Sequence, residues 1–150
     1  MYRIKTGYTV GDAMTMNPIT ISGNKTLRDA AKIMAKEHVG SLLVKENDKI
    51  VGILTEQDIV RKGVAGTGNT ALKKVKEVME TNLTTTTPDE DIFEALRIMR
   101  DYNIRHLPVM HNGKFVGLVT LKDILKIEPD LYEIMVEKIQ LRETERKPIK

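Results

Sequence analysis

The sequence predicts an α+β protein built from two copies of one strand–helix–strand–strand–helix unit and completed by a C-terminal helix. Residues 10–61 align with residues 75–126 at a constant shift of 65 positions without a gap, and 16 of the 52 paired positions are identical. Within each copy, apolar positions change from helical spacing to strand-like runs, with polar turn residues between them. Two copies are too few for a solenoid, so we expect a pseudo-symmetric pair with a ligand-binding cleft where the copies meet.

The composition is that of a small globular protein without disulfides or membrane spans. A hydrophobic fraction of 41% is sufficient for a buried core in one compact domain or in two small units. The absence of cysteine excludes disulfides and thiolate zinc sites. No apolar run approaches the roughly 18 residues that a membrane helix needs. The N-terminus has no signal-peptide pattern, so we expect a cytoplasmic protein with no membrane partner.

The first copy begins with a helical turn at residues 10–14 and a short extended segment at residues 19–21. Thr26 and Asp29 then form a capping-box pattern, which predicts a helix that begins after Thr26. The apolar residues that follow recur at helical spacing and make one face of this helix. The second copy repeats the pattern, with Asp91 at the capping position.

Two strands and a second helix complete each copy. The strands are expected at residues 41–44, 49–54, 106–110 and 114–119. Asn112 and Gly113 join the two strands of the second copy, and this pair favours a tight hairpin because both residues tolerate positive φ. The second helices are expected to begin at Thr55 and Thr120.

The repeat divides the chain into three predicted parts. These are a first repeat at residues 1–66, a second repeat at residues 67–128 and a C-terminal helical extension at residues 129–150. Three glycines in the segment 63–70 predict a flexible loop between the copies. After Pro129, a partly apolar pattern predicts a helix from residue 130 to about residue 143.

One motif at a strand–helix junction carries the chemistry. The segment Gly52–Asp58 recurs as Gly117–Asp123, and both follow the pattern G-h-h-T-x-x-D, in which h is apolar. The threonine hydroxyl can donate to a phosphate oxygen, and the aspartate can accept from the two hydroxyls of a ribose. The pattern T-x-x-D is also a helix cap, in which the threonine and the acid bond each other's backbone. Both roles remain open, since a cap does not exclude a ligand.

Several spaced motifs occur in the same order in both copies: V-x-x-h-M, A-x-x-h-M and G-h-h-T-x-x-D. The second copy also contains I-R-H-L-P-V at residues 104–109. With these motifs, residues 10–126 resemble a tandem pair of CBS domains, the cystathionine-β-synthase-type repeats also called a Bateman module. The resemblance implies two β-α-β-β-α repeats that pack through their sheets.

The resemblance also implies a regulatory function without catalysis and without a required cofactor. Clefts of such pairs bind adenosyl ligands such as AMP, ADP, ATP or S-adenosylmethionine and report them to a partner. The implied assembly is a homodimer, and the effector protein is not identified by the sequence. No catalytic residue and no metal ligand is therefore expected.

The implied ligand contacts lie at equivalent positions of the two copies. Asp58 and Asp123 would each hold a ribose, and Thr55 and Thr120 would contact phosphate. The implied contacts in the segments that open each sheet are Ile19, Thr20, Thr84 and Thr85. The residues that would enclose the base are Leu42, Leu43, Leu107 and Pro108. Further contacts to phosphate would come from Arg105 and His106.

The two predicted sites differ where phosphate would bind. Gly40 of the first copy corresponds to Arg105 of the second copy. Ser41 likewise corresponds to His106. A guanidinium can bind phosphate bidentately, whereas glycine offers only backbone groups, so we expect phosphate affinity to be concentrated near Arg105.

Two other functions were weighed against a ligand sensor. A ligand-independent dimeric adaptor would use the repeats but would need neither aspartate of the motif except as a cap. Nucleic-acid binding through Arg97, Arg100, Arg105 and the basic C-terminus is poorly supported, because aromatic residues do not interleave with the basic ones. The net charge of +3 does not by itself indicate nucleic acid. Metal-binding histidine spacings and a phosphate-binding glycine loop are also missing from the sequence.

Overall fold

Helices and strands follow the predicted order in residues 5–133, the part of the chain that the computed structural model describes. The α-helices are α1 Val10–Ala13, α2 Leu27–Glu37, α3 Glu56–Asp58, α4 Val75–Val78, α5 Ile92–Tyr102 and α6 Leu121–Ile127. The strands are β1 Thr20–Ile21, β2 Ser41–Glu46, β3 Lys49–Thr55, β4 His106–His111 and β5 Lys114–Thr120. A π-helix at Ile59–Val64 continues α3, and two short 3-10 helices occur at Thr70–Leu72 and Pro129–Leu131. The mixed content confirms the α+β class.

These elements form two compact units whose limits differ from those of the sequence repeats. The central unit consists of residues 17–84, and the split unit consists of residues 5–16 together with residues 85–133. The predicted limits at residues 66 and 128 therefore separate the repeats of the sequence but not the units of the structure. The reason is an exchange, in which each unit contains the opening helix of the other repeat.

Backbone hydrogen bonds fix the exchanged segments in place. In the split unit, Thr15 N donates to Leu118 O at 2.8 Å, and Leu118 N donates back to Thr15 O at 3.0 Å. In the central unit, Ile53 and Glu80 exchange the corresponding pair of bonds at 3.0 and 2.9 Å. Each opening segment therefore extends the edge of a sheet that belongs to the other repeat.

The central unit contains a three-stranded sheet in the order β1-β2-β3. Strand β1 is parallel to β2, and β2 is antiparallel to β3. Helix α2 covers one face with an apolar stripe, as its helical spacing predicted. The buried core residues of this unit are Ile21, Leu27, Ala30, Met34, Leu42, Val44, Leu54, Val75 and Val78. Val75 and Val78 show that the exchanged helix α4 is part of this core.

The split unit contains the antiparallel pair β4-β5 and a core of its own. Its buried core residues are Val10, Ile92, Ala95, Leu96, Met99, Leu107, Val109, Val119, Ile124 and Leu131. The short strand expected in the threonine run 84–87 is reduced to a single bridge between Thr86 and Val109. Pro108 explains the reduction, because it lacks the N–H that its counterpart Leu43 donates to Ile19 O at 3.2 Å.

Both hairpins close with residues in the left-handed region, as the sequence predicted for the second one. Asn47 and Asp48 have φ of 49° and 62°, and Asn112 and Gly113 have φ of 50° and 76°. Two consecutive positive φ values are those of the tight turn that matches strand twist.

The described chain ends within the predicted C-terminal extension. The side chain of Leu131 is buried in the core of the split unit. The extension therefore contributes to that core as far as this residue. The predicted helical positions Ile134, Met135, Lys138 and Ile139 lie outside the described residues.

Candidate functional site

Thr55 and Asp58 form a complete capping box at the end of β3. Thr55 N donates to Asp58 Oδ2 at 3.0 Å, and Asp58 N donates to Thr55 Oγ1 at 3.1 Å. The box satisfies backbone N–H groups that a helix start leaves without intrahelical partners. It also fixes the aspartate so that Oδ1 is the oxygen not used by the cap.

Thr120 and Asp123 repeat this geometry at the end of β5. Thr120 N donates to Asp123 Oδ2 at 3.0 Å, and Asp123 N donates to Thr120 Oγ1 at 3.2 Å. Within residues 5–133, Asp123 Oδ1 has no hydrogen-bond or ion-pair partner. A fixed carboxylate oxygen of this kind can accept from a ligand hydroxyl without disturbing the cap.

The same box occurs at Thr9/Asp12 and at Thr26/Asp29, where the sequence repeat does not place a ligand. The hydrogen bonds of T-x-x-D at these two places are therefore the same as those of the two motif boxes. A ligand role for Asp58 and Asp123 depends instead on what surrounds them at the ends of their strands.

The residues beside each box are the ones that the sequence singled out. In the split unit, His106 lies opposite Thr120 in the β4-β5 register, and Leu121 N donates to Arg105 O at 2.9 Å. The side chain of Arg105 is exposed. The structure thus brings Arg105 and His106 to the Thr120/Asp123 box.

In the central unit, the corresponding places are held by small residues. Ser41 lies opposite Thr55 in the β2-β3 register, and Glu56 N donates to Gly40 O at 3.0 Å. The difference predicted between the two copies is therefore a difference in the immediate surroundings of the two boxes.

The residues that open each sheet also lie beside the middle strands. Thr20 is the register partner of Leu43, and Leu43 N donates to Ile19 O. In the split unit, Thr86 N donates to Pro108 O at 3.1 Å. Thr85 is the residue that precedes Thr86 in the chain. Thr84 is the last residue of the central unit.

The four predicted base-enclosing residues lie on two different faces of their sheets. Leu42 and Leu107 are fully buried and belong to the two hydrophobic cores. Leu43 and Pro108, one position later, point to the opposite face because successive strand side chains alternate. Leu43 and Pro108 are buried as well, so exposure does not distinguish the four residues.

Lys62 is a neighbour of the first box that the sequence analysis did not single out. Its Nζ lies 3.5 Å from Asp58 Oδ1 and 3.9 Å from Glu80 Oε2. The i,i+4 spacing of Asp58 and Lys62 could have indicated the first contact. Glu80 comes from the exchanged segment, and nothing in the sequence spacing places it there.

Two of the three arginines considered for nucleic acid, Arg97 and Arg100, are paired with acids on their own helix. Arg97 contacts Glu94 and Asp101, and Arg100 Nε donates to Asp101 Oδ1 at 3.3 Å. Neighbouring carboxylates reduce the positive potential that phosphate binding requires.

Residues 5–133 contain neither a side-chain cluster suited to a metal ion nor a helix suited to spanning a membrane. No three acidic or histidine side chains in that range are grouped so that they could hold a metal ion. None of its helices has the length and apolar character needed to cross a bilayer.

The CBS-domain family model matches residues 10–65 and residues 75–130, which are the two sequence repeats. The chain belongs to the CBS-domain family. This confirms the resemblance drawn from the spaced motifs, and no catalytic family is indicated for this CBS-domain pair.

Relatives in archaea and bacteria support the assignment. An uncharacterised protein of Methanocaldococcus jannaschii is 40% identical over 119 residues, which are 79% of this chain and 38% of that protein. The CBS domain-containing protein YhcV of Bacillus subtilis is 34% identical over 116 residues, 77% of this chain and 82% of that protein. The chain thus spans well under half of the first relative and most of the second.

Solved structures with the same fold include a ligand complex and a hexamer. The CBS domain pair of protein MJ0100, in complex with 5′-methylthioadenosine and S-adenosyl-L-methionine, has a TM-score of 0.71 and 31% identity. The match covers 81% of this chain and 96% of that one. A hexameric CBS-CP12 protein from bloom-forming cyanobacteria has a TM-score of 0.71 and 28% identity, covering 83% and 73% of the two chains.

Proposed function

We propose that this CBS-domain pair is a regulatory module that binds an adenosyl ligand and passes its bound state to a partner protein. The ligand class comprises AMP, ADP, ATP and S-adenosylmethionine. One observation carries the proposal: the cap of Asp123 leaves its Oδ1 outside the hydrogen bonds of the box, at a place where Arg105 and His106 lie beside it. The complex of MJ0100 with two adenosyl compounds supports the choice of ligand.

The chemistry of each box suits a ribose followed by an anionic group. The Oδ1 atoms of Asp58 and Asp123 accept from the ribose hydroxyls, because an ionised carboxylate is only an acceptor. The hydroxyls of Thr55 and Thr120 accept from the backbone and retain a proton to donate to the ligand. Backbone groups of the segments at Ile19–Thr20 and Thr84–Thr85 bind the base edge.

The two boxes differ in what they offer an anionic ligand. Arg105 has an exposed guanidinium next to the Thr120/Asp123 box, and His106 lies opposite Thr120. The Thr55/Asp58 box has Gly40 and Ser41 in these places. We therefore assign the phosphate-bearing ligand to the second box, because a guanidinium matches phosphate with two parallel hydrogen bonds.

The proposed mechanism is a population shift. A ligand that contacts one conformation of the pair better than another changes the proportion of the two and the surface that a partner meets. We propose a homodimer as the assembly that presents this surface. Because the CBS-CP12 relative is a hexamer, sedimentation analysis of the purified chain is required to choose between these assemblies.

Calorimetric titration of single-site variants tests the ligand proposal. Asp58→Ala and Asp123→Ala should each lower the affinity of one site for an adenosyl ligand by about 10- to 100-fold, because hydrogen bonds to a charged acceptor are lost. Asp29→Ala is the matched control, since it removes a capping box of the same geometry within the central unit. We expect each variant to lose about 1 kcal/mol of unfolding free energy, and the control to keep its binding.

The same titrations address the adaptor alternative. If AMP, ADP, ATP and S-adenosylmethionine give no heat with the folded protein, both boxes are caps only and the chain is an adaptor. Affinity for an oligonucleotide that falls steeply with salt would instead indicate nucleic-acid binding.

A further inference from the structure

Lys62 forms an ion pair with the oxygen of Asp58 that the proposed function assigns to ribose. The ammonium lies 3.5 Å from Oδ1, the carboxylate oxygen that the cap does not use. The side chain of Asp58 is 16% exposed, whereas that of Lys62 is 49% exposed. The lysine therefore reaches from solvent onto a carboxylate that is mostly covered.

Lys62 also forms an ion pair with a second carboxylate, that of Glu80. Glu80 Oε2 lies 3.9 Å from the ammonium, and Glu80 Oε1 accepts from Asn82 N at 2.9 Å. The backbone of Glu80 is fixed by its pair of hydrogen bonds with Ile53. Glu80 is thus a positioned acceptor, and it offers the lysine an alternative partner when Asp58 Oδ1 is needed elsewhere.

The Thr120/Asp123 box has no counterpart of Lys62 or of Glu80. Ile127 stands at the position equivalent to Lys62, and Thr15 stands at the position equivalent to Glu80. Asp123 correspondingly has no ion pair among the described residues. The two boxes therefore have the same capping geometry but different charges beside the outer oxygen.

We propose that Lys62 is a specificity-determining residue that competes with the ligand for Asp58 Oδ1 and makes the first site the weaker of the two for an uncharged nucleoside. This inference rests on the proposed function of the Thr55/Asp58 box. Binding of the ribose hydroxyls at the first site requires the ammonium to leave Oδ1 and turn to Glu80. At the second site the equivalent oxygen is already available.

The expected size of this effect follows from the exposure of the pair. An ion pair between a half-exposed lysine and a carboxylate contributes at most about 1 kcal/mol, which corresponds to about two- to fivefold in affinity. The effect should decrease with salt, because ions screen an exposed ammonium.

The test uses 5′-methylthioadenosine, which has a ribose and no net charge at neutral pH. In an Asp123→Ala background, which leaves only the first site, Lys62→Met should raise affinity about two- to fivefold. Methionine keeps the unbranched stem and removes the charge. Lys62→Arg should restore the wild-type affinity, and Lys36→Met, a neutralisation of an exposed lysine at the end of α2, should leave it unchanged.

Salt gives a second readout that a structural role of Lys62 would not produce. Raising the ionic strength should strengthen 5′-methylthioadenosine binding to the first site when Lys62 is present, and should have no such effect in Lys62→Met. Glu80→Gln should weaken binding at this site, because the displaced ammonium loses its alternative acceptor.

Each outcome decides a separate point. Binding at the first site that is equal or weaker in Lys62→Met overturns the competition and leaves the proposed function intact. If 5′-methylthioadenosine binds neither site in any variant, the ligand proposal itself fails, and the competition fails with it. Stronger binding in Lys62→Met together with loss of the salt effect supports the inference.

Discussion

Thr86 is buried at a position where the first repeat has Ile21, and within residues 5–133 its hydroxyl has no hydrogen-bond partner. The side chain fits a core position by shape but carries a polar atom there. Burial of a hydroxyl without a partner costs free energy, because its bonds to water are not replaced. The threonine therefore stabilises the split unit less than an apolar residue of the same size.

We expect Thr86→Val to raise the free energy of unfolding by about 1 kcal/mol, because the substitution keeps the shape and removes the unpaired hydroxyl. Urea denaturation of wild-type and variant protein measures the difference. Thr87→Val is the control, since Thr87 is exposed and should change stability by less than about 0.5 kcal/mol. A destabilised Thr86→Val would mean that the hydroxyl has a partner, such as a water molecule.

Asp91 anchors the N-terminal segment to helix α5. Its carboxylate accepts from Phe93 N at 2.9 Å, from Thr6 N at 2.9 Å, from Thr6 Oγ1 at 3.0 Å and from Gly7 N at 3.2 Å. Burial raises the pKa of the carboxyl, whereas these hydrogen bonds lower it. Together the hydrogen bonds have the larger effect, so the pKa of Asp91 lies below its usual range. The charged form is the one that the folded state prefers.

The stability that Asp91 contributes should consequently depend on pH. A carboxyl with a lower pKa in the folded state stabilises the protein above its unfolded pKa of about 4, and this contribution is lost as pH falls through the folded pKa. Asp91→Asn should cost about 1–2 kcal/mol at pH 7. The difference from wild type should shrink below about pH 4 in urea titrations at several pH values. Asp89→Asn, at an exposed position two residues earlier, should show no such trend.

Sequence reasoning at this scale located capping residues that recur and overlooked Lys62, which does not recur. Thr55, Asp58, Thr120 and Asp123 were singled out because they repeat at one register, and all four occupy equivalent places in the structure. Lys62 has an apolar counterpart, so the comparison of the two copies gave it no weight. Its contact with Asp58 has local i,i+4 spacing, whereas its contact with Glu80 of the exchanged segment is not contained in any local pattern.

At the scale of elements, the glycine of each motif is required by the exchanged segment. A Cβ atom added at Gly117 would lie 2.8 Å from Thr15 O and 3.0 Å from Met14 Sδ. A Cβ atom added at Gly52 would lie 2.8 Å from Met79 Sδ and 3.0 Å from Glu80 O. The absence of a side chain therefore allows the opening segment to pair with the strand.

Gly117→Ala and Gly52→Ala should each destabilise the protein by about 1–3 kcal/mol, the usual cost of overpacking a close contact. Gly117→Ala should cost more, because its nearest neighbour is a backbone oxygen, whereas a methionine side chain can move. Thermal denaturation measures both. In double-mutant cycles, Met79→Ala should reduce the stability cost of Gly52→Ala. Met14→Ala should reduce the cost of Gly117→Ala only slightly. Equal costs without any coupling would contradict this account.

The predicted elements were mostly correct because their signals are local. Capping residues, apolar spacing and turn residues act within a few positions, and they gave α2, α5 and both hairpins. The π-helix at Ile59–Val64 was not predicted, since the second repeat forms the regular helix α6 at that place. Its buried Gly63 lies where a Cβ atom would be 2.7 Å from Leu27 Cδ1, so close packing against α2 accompanies the irregularity.

For the whole molecule, the two compact units do not coincide with the two sequence repeats. Residues 1–66 comprise one repeat, but they lack the core residues Val75 and Val78 and the pairing of Ile53 with Glu80. Residues 17–84 contain the complete core of the central unit. Which segment completes which core depends on long-range packing, and sequence periodicity has no information about it.

The two fragments should accordingly behave differently. Each fully buried valine contributes roughly 1.5–3 kcal/mol, and a unit of this size has a stability of only about 3–10 kcal/mol. We expect fragment 17–84 to unfold cooperatively in urea, followed by circular dichroism, and fragment 1–66 to be largely unfolded. Equal cooperativity of both fragments would show that the exchanged helix is dispensable.

The exchange also sets the order in which the protein can form during synthesis. Residues 5–16 leave the ribosome before the central unit, but their partners in the split unit, residues 85–133, leave it after the central unit. The central unit is complete as soon as residue 84 has emerged, while Val10 still awaits a core in which to pack. We therefore expect residues 17–84 of the nascent chain to acquire protease resistance first, and residues 5–16 to become protected only after residues 85–133 have emerged.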